Sequence, residues 1–483
     1  MKKMILFAAA ALVATSAMSQ NGQLYLFRND KQFNYYDLKD LTDIKYSGGS
    51  LGYTKMAIET SDGTSSSINM SVVDSCVIRQ TVIPDIHVRL TDYPDLKDLI
   101  KDSQHGKSFV YDATLRMDGN GLYDDLPEQT VEFRGRGNST WNFAKTPYRF
   151  KMAKKTSVCG MAKAKTFALI ANYIDPSLMR NAVALWTAQQ LGLPYSNHCI
   201  PVNVYLNGYY KGAYMMTEKI GVGGGSVDIN EETGMLFELD SNYDEDFKFK
   251  YRFANNAAKS LPVMVKDPDL TEIKPDESER SEYFSKWQAD FTEMADVVVN
   301  PGTKKISDYV DLRDAACFVL VNSLACNREL QHPKSLYLYK EGLGSEYLYH
   351  FGPVWDFDWA FGYDGSTTIQ SHATVLFERD GDYAGMSFMK SLVCNSEFRA
   401  VYKEVWNDFY TNIYPRLLDY MAEYAYLIEP TGKRDGLLWP DAYATSYAYA
   451  PSAYDRVAKV SELTEWVKKR VEWCNTQSNW GLY

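Results

Sequence analysis

The chain has 483 residues, a formal net charge of −11 and a hydrophobic content of 45%. These values predict about two to four domains with a sizeable core, and the negative charge excludes nucleic acid as a bulk partner. The seven cysteines are scattered and show no Cys-x-x-Cys or Cys/His spacing. The sequence therefore argues against zinc and against a disulfide framework, and leaves room for a single disulfide.

The first residues have the pattern of an export signal. A charged start at residues 1–3 precedes an apolar run over residues 4–14, and small residues follow at Ala17 and Ser19. This pattern predicts a signal peptide over residues 1–19. The apolar run is shorter than the roughly 20 residues that cross a bilayer, and no later run is long enough, so we expect no transmembrane segment after cleavage. The predicted location is periplasmic, cell-surface or extracellular.

Residues 20–82 predict a small β module with two hairpin-like repeats. Segments 24–27 and 41–46 form the first strand–turn–strand copy, and segments 56–59 and 72–78 form the second. The module carries no catalytic constellation. We therefore expect it to act as a spacer or a docking module.

The main domain is predicted to span residues 84–480, with a sheet-rich part at about 84–220 and a mainly helical part at about 281–480. Apolar periodicity, capping residues and turn residues define its elements. The predicted elements are a strand over 86–90, a short helix over 94–101, a strand over 108–118, a helix that begins at Asp175 and ends near Leu191, a hairpin with strands 202–206 and 210–217 around Asn207-Gly208, and a last helix over about 454–475.

The sharpest chemical motif is the segment 352–362, Gly-Pro-Val-Trp-Asp-Phe-Asp-Trp-Ala-Phe-Gly. As a strand it would place Asp356 and Asp358 on one face and its aromatic side chains on the other. Two neighbouring carboxylates repel unless a cation lies between them, and oxygen ligands of this kind suit Mg²⁺, Mn²⁺ or Ca²⁺. Alternatively, each aspartate pairs with an arginine or caps a helix. We favour the metal interpretation because unpaired acids beside buried aromatic residues are costly.

A second motif concentrates five cations in an acidic protein: Arg134, Arg136, Lys145, Arg149 and Lys151. Alternation along the predicted strands places the two arginines at 134 and 136 on one face, and Arg149 on the same face as Lys151. Such a cluster is suited to binding an anion or a phosphate. A solvated sheet face that forms ion pairs with acidic loops explains the pattern equally well.

A third motif is a polar loop, residues 326–335, which follows an apolar helix and precedes the paired aspartates. Loops in such positions often carry function. Glu329 and His332 are candidate bases, and Asn327 or Ser335 is a candidate ligand. The alternative is that the loop only connects the helix to the next strand.

Together these motifs resemble the CotH family, named for spore coat protein H, whose members are atypical, secretory-type protein kinases. The motifs fall in order across about residues 84–475. The matching residues are Arg134–Trp141 with Lys145, Pro147 and Tyr148, then Asp175-Pro176-Ser177 with Arg180-Asn181, then Asn207–Tyr214 with Glu218, and Val354–Gly362. The resemblance implies an α+β fold: an atypical protein-kinase-like, two-lobed domain behind the small β module, with a nucleotide and a metal between the lobes.

The resemblance also implies an activity and a set of roles. The activity would be phosphoryl transfer from ATP to a Ser/Thr or another hydroxyl of a secreted or surface protein, with Mg²⁺ or Mn²⁺. Asp356 and Asp358 would bind the metal, and Glu329 with Asn327 would be catalytic. The residues expected to bind nucleotide or phosphate are Arg134, Arg136, Lys145, Arg149, Lys151 and Glu218.

The chain departs from the family pattern in the loop before the metal acids. Where the family has Asn-x-Asp followed by another Asn, this chain has Asn327-Arg328-Glu329 followed by Ser335, or Lys334 in another alignment. These departures favour the alternative of a non-catalytic, pseudokinase-like surface or assembly protein. A carbohydrate-active hydrolase ranks last, because adjacent acids at 356 and 358 are too close for an inverting pair.

Overall fold

The computed structural model describes residues 23–29, 33–49, 52–79, 83–253, 256–363, 370–377, 383–439 and 456–483. The predicted signal peptide lies outside the described residues. The chain divides into two compact units, one formed by Met1–Ile83 and Leu418–Pro430 and the other by Pro84–Leu417 and Thr431–Tyr483.

The smaller unit contains two antiparallel three-stranded sheets. Leu24, Leu26, Met56 and Ile58 are buried between their strands. The pairing differs from the two predicted hairpins, because alternation identifies strands but does not choose their partners. One sheet has the order β2-β1-β6, from β1 (Gln23–Arg28), β2 (Phe33–Asp37) and β6 (Val73–Arg79). The other has the order β3-β4-β5, from β3 (Leu41–Gly49), β4 (Gly52–Thr60) and β5 (Ser65–Asn69).

The larger unit begins with a closed seven-stranded barrel in the order β10-β11-β13-β12-β7-β8-β9. Alternation along its strands turns Tyr148 and Phe150 into the barrel core and leaves Arg149 partly exposed. A parallel pairing of β12 with β7 joins the last hairpin to the first strand. The strands are β7 (Asp85–Leu90), β8 (Tyr111–Asp118), β9 (Leu126–Gly135), β10 (Tyr148–Thr156), β11 (Ala164–Ile170), β12 (Ile200–Leu206) and β13 (Tyr209–Glu218).

A five-stranded sheet follows, in the order β15-β16-β14-β17-β18. Its central strand β14 is buried along its whole length. We did not predict the three strands of this sheet that lie between residues 235 and 267, since acidic loops separate their short apolar runs. The five strands of this sheet are β14 (Met235–Leu239), β15 (Lys248–Phe253), β16 (Asn256–Asp267), β17 (Leu336–Lys340) and β18 (His350–Phe351).

Helices pack against strands β15, β16 and β18 of this sheet, so the chain is an α+β protein. Within the described ranges, every helix is too short or too polar to span a lipid bilayer. The helices are α1 (Arg180–Gln190), α2 (Leu270–Ile273), α3 (Glu277–Val299), α4 (Leu312–Ala325), α5 (Ala384–Cys394), α6 (Ser396–Asp408), α7 (Tyr414–Leu438) and α8 (Arg456–Thr476).

Two predicted helices differ from the observed ones. Residues 94–101 form turns and bends, in which the Asn207 side-chain amide donates hydrogen bonds to the carbonyls of Tyr93 and Leu96. Tertiary hydrogen bonds thus replace those of the predicted helix. The second helix begins at Arg180, not at Asp175, because the Asp175 carboxylate accepts hydrogen bonds from the amides of Ser177 and Arg180 and forms a turn ahead of the helix.

Candidate functional site

An open cavity of about 790 Å³ lies in the larger unit, lined by the barrel, the five-stranded sheet and the segment after β18. The barrel and the residues that follow its strand β13 supply mainly cations. The five-stranded sheet and the segment after β18 supply mainly acids. The lining cations include Arg134, Arg136, Arg149, Lys219, Lys266 and Lys334, and the lining acids are Glu238, Asp240, Asp244, Glu245, Glu329, Asp356 and Asp358.

The segment that carries Asp356 and Asp358 is not the predicted strand. Strand β18 ends at Phe351, and the following backbone is irregular, with a left-handed φ of 66° at Asp356. Hydrogen bonds to helix α1 replace sheet pairing: Arg180 Nε donates to the Ala360 carbonyl at 3.1 Å. The argument from alternation was therefore wrong, although both carboxylates do reach the same cavity.

Asn181, in the first turn of α1, contacts the segment that carries Asp356 and Asp358 at two points. Its Nδ2 donates to the Asp358 carboxylate, and its Oδ1 accepts the Phe357 amide at 2.9 Å. The side chain is 6% exposed. This contact fixes the direction of the Asp358 carboxylate, and we did not predict it, although Arg180-Asn181 belongs to the motif residues.

The acids of the cavity are mutually repelling and poorly compensated. Burial, together with the charge of Asp356, raises the pKa of Asp358 to about 8. Burial also raises the pKa of Asp356, against the opposing effects of Arg136 and Lys334. Within the described part of the chain, neither aspartate forms an ion pair with a lysine or an arginine. An oxygen-only donor set whose charge is only partly compensated fits Mg²⁺ or Mn²⁺.

Glu329 and Asn327 take different positions in this site. Asn327 accepts the Glu329 amide at 3.1 Å, and its Nδ2 donates to the Asp356 carbonyl at 3.4 Å. Asn327 is thus placed to position the loop. Glu329 lines the cavity, where burial and the charge of Asp356 raise its pKa to about 7.

The three arginines predicted to bind phosphate line the cavity together. Arg134 and Arg149 are direct neighbours across β9 and β10, and burial with repulsion from Arg134 lowers the pKa of Arg149 to about 10. Arg136 lies over the ring of Trp355, 5.6 Å from its centroid. The barrel therefore presents an arginine cluster to a cavity that also contains Asp356 and Asp358.

Lys145 also lines the cavity, whereas Lys151 and Glu218 do not, and each of the three has another partner. Lys145 is fully buried, and its Nζ lies 2.7 Å from a carboxylate oxygen of Asp435, so its charge is already neutralised. Lys151 lies 3.4 Å from Glu132 on an exposed part of β10. The Glu218 carboxylate contacts His198. The geometry does not bring Lys151 or the Glu218 carboxylate into the described cavity lining.

A separate group of potential metal ligands, Asp311, Asp314 and His350, lies outside this cavity. Asp311 caps helix α4 by accepting the Asp314 amide at 2.9 Å, and Asp314 lies 2.7 Å from Nδ1 of His350. These contacts give the group a structural explanation, and we assign it no function.

A scan of family models matches residues 133–474 to the model described as CotH kinase protein. The match covers more than half of the chain and includes the cavity residues from Arg134 to Asp358. The chain belongs to the CotH kinase family, as its motifs predicted. A search of curated proteins finds no match.

Proposed function

We propose that this protein is an exported, metal-dependent phosphotransferase, which transfers a phosphoryl group from a nucleotide such as ATP to a hydroxyl of a secreted or surface protein. One observation carries the proposal: a single cavity combines two carboxylates without an ion-pair partner in the described residues, Asp356 and Asp358, with the arginine pair Arg134 and Arg149. Phosphoryl transfer requires both, since the phosphates carry negative charge and the metal requires oxygen ligands. Membership of the CotH kinase family supports the same reaction class.

The roles follow from the positions. Asp356 and Asp358 would hold Mg²⁺ or Mn²⁺, which neutralises charge on the phosphates when bound. Arg134 and Arg149 would bind phosphate oxygens. Glu329 would accept the proton of the acceptor hydroxyl as its oxygen bonds to the γ-phosphorus, while the bond to the β,γ-bridging oxygen breaks and the nucleoside diphosphate leaves. A base with a pKa of about 7 suits this step near neutral pH.

We further propose that the larger unit is a kinase-like, two-lobed domain. The seven-stranded barrel would be the nucleotide lobe, and the five-stranded sheet with its helices would be the acid-bearing lobe. The cavity draws residues from both parts, with Arg149 on β10 and Tyr337 on β17, which supports this division.

A thermal-shift titration tests the nucleotide and metal site. The purified protein is titrated with ATP, ADP and GTP, each with Mg²⁺ or Mn²⁺, beside Asp356→Ala and the exposed control Asp246→Ala. A ligand at about 100 times its Kd stabilises the native state by about 2.7 kcal/mol. We expect a metal-dependent shift in the wild type and the control, and its loss in Asp356→Ala. The absence of any nucleotide shift in the wild type would refute the proposal.

A non-catalytic binding role is the second candidate, and Glu329 and Ser335 in the catalytic loop favour it. Under that role, nucleotide binds without transfer of phosphate to any protein, including the chain itself. Intact-protein mass spectrometry after incubation with ATP and Mn²⁺ separates the two candidates. Recovery of transfer in the Glu329→Asp/Ser335→Asn variant alone would favour the non-catalytic role for the natural chain.

Export is tested separately. We expect the mature protein, recovered outside the cytoplasm, to begin at Gln20. N-terminal sequencing checks this expectation, and a chain that retains residues 1–19 in the cytoplasm would contradict it.

A further inference from the structure

Asp240 is an acid of the cavity to which our motif analysis gave no role. It follows β14 directly, and the pairing of Leu239 with Leu336 places it beside the start of β17. Its Oδ2 accepts the Ser335 amide at 3.2 Å, and its Oδ1 accepts the Asn242 amide at 2.7 Å. The sheet register therefore holds this carboxylate in a fixed direction.

The side chain of Asp240 is buried and belongs to the same acid group as the proposed metal ligands. Asp240 is 5% exposed and lines the cavity. Its charge acts on Glu329 and on Asp356, and it contributes to the raised pKa of both. Asp240, Glu329 and Asp356 come from three separate segments of the chain, and all three line the cavity.

Lys266 also lines the cavity, but its ion pairs are with acids other than Asp240. Lys266 lies 2.7 Å from Glu238 and 2.8 Å from Glu245, so its charge is taken by two other acids. In the described ranges the Asp240 carboxylate has no ion pair, and it accepts hydrogen bonds from two backbone amides. Each amide uses one lone pair of a carboxylate oxygen and leaves others for a cation.

We propose that Asp240 is a third metal-binding carboxylate of the cavity, in addition to Asp356 and Asp358. This inference rests on the proposed function. Mg²⁺ and Mn²⁺ prefer oxygen ligands in near-octahedral arrangement, and a carboxylate from β14 would approach from a different element than the segment after β18. The competing explanation is that Asp240 only forms the turn with Asn242.

Mn²⁺ binding to the full-length protein, measured by calorimetry without nucleotide, tests the inference. We expect Asp240→Asn to weaken the Kd for Mn²⁺ at least tenfold, and Asp246→Asn, an exposed acid of the same loop, to change it less than twofold. Wild-type affinity in Asp240→Asn, together with loss of binding in Asp356→Ala, would overturn the role of Asp240 alone. No Mn²⁺ binding by the wild type would overturn the metal site and this inference together.

Stability without metal separates a ligand from a turn-forming residue. If Asp240 is a ligand held near like charges, Asp240→Asn is expected to melt in EDTA no lower than the wild type. A lower melting temperature with unchanged Mn²⁺ affinity would show that Asp240 only supports the turn.

A change of metal preference provides a second, independent variant. In Asp240→Cys, a thiolate replaces the carboxylate, and we expect the preference for Cd²⁺ over Mn²⁺ to rise at least tenfold relative to Asp246→Cys. The matched cysteine in the control accounts for Cd²⁺ binding by thiols as such. Equal preference in two folded cysteine variants would contradict the inference.

Discussion

At the scale of single residues, Glu329 links the acid cluster to the stability of the fold. Its pKa rises from 4.5 to about 7 because the carboxyl group is buried beside Asp356. The folded state therefore holds this proton more tightly than the unfolded chain. That stabilisation is complete below about pH 4.5 and is lost as the pH rises through about 7.

We expect the free energy of unfolding of the metal-free protein to fall between pH 5 and pH 8, and to fall less in Glu329→Gln, which has no proton to lose at this position. Urea denaturation at four pH values measures both slopes. Saturating Mg²⁺ should reduce the wild-type slope, since a bound cation favours the charged carboxylates. Equal slopes for the metal-free wild type and the variant would contradict the assignment of this proton to Glu329.

Also at the residue scale, the pair of Lys145 and Asp435 is expected to stabilise the fold and not to bind phosphate. Both side chains are buried, and Lys145 Nζ also donates to the Ala213 carbonyl at 2.6 Å. Removing the carboxylate in Asp435→Asn leaves a buried ammonium group without its anion, which costs about 3–5 kcal/mol. The exposed pair of Lys151 and Glu132 is the control, because Lys151→Met removes a contact worth at most about 1 kcal/mol.

Urea denaturation of both variants measures the difference. The variant Lys145→Met/Asp435→Leu should recover part of the loss, because it removes both charges together. A loss below about 1 kcal/mol in Asp435→Asn would show that the ion pair is not structural.

At the scale of elements, the first turn of α1 holds the segment that carries Asp356 and Asp358. In Asn181→Ala the Asp358 carboxylate loses a donor and the buried Phe357 amide loses its acceptor. We expect a loss of about 1–3 kcal/mol in stability and a weakening of Mn²⁺ binding by about tenfold. Calorimetry and urea denaturation measure the two effects. The control Asn412→Ala removes an exposed contact with Asp408, and an unchanged Mn²⁺ affinity in Asn181→Ala would refute the positioning role.

The elements that could be predicted are those fixed by local sequence. The hairpin at Asn207-Gly208 is confirmed, with left-handed φ values of 50° and 84° at the two turn residues. Closure of the barrel could not be predicted, because it depends on the pairing of β12 with β7, more than a hundred residues apart in sequence. Alternation shows which side of a strand is apolar and does not show its partner.

In the candidate site too, residues close together in sequence could be predicted, and residues brought in by long-range pairing could not. The sequence predicted Asp356, Asp358 and the arginines because each set is close together along the chain. Asp240 became a cavity residue only through the register of β14 with β17, and the ion pair of Lys145 depends on Asp435 on a distant helix. Residues that depend on long-range pairing are therefore beyond the reach of motif spacing.

At the scale of the whole molecule, the cavity is assembled from segments far apart in the chain, so ligand binding should protect several of them at once. We expect ATP with Mg²⁺ to slow hydrogen exchange in peptides that cover residues 133–150, 236–242, 327–337 and 354–359. Helix α6, residues 396–408, contributes no described lining residue and serves as the internal reference.

The pattern of protection from hydrogen exchange distinguishes a ligand that bridges the cavity from a ligand that binds on one side of it. A ligand that bridges the arginines and the acids must slow exchange on both sides of the cavity, because the free energy of binding opposes every opening that separates them. In Asp356→Ala the protection of all four segments should disappear together if the metal joins the two sides. Protection that persists at residues 133–150 alone would mean that the arginines bind phosphate without the metal acids, and the cavity would then be an anion site and not a phosphotransferase site.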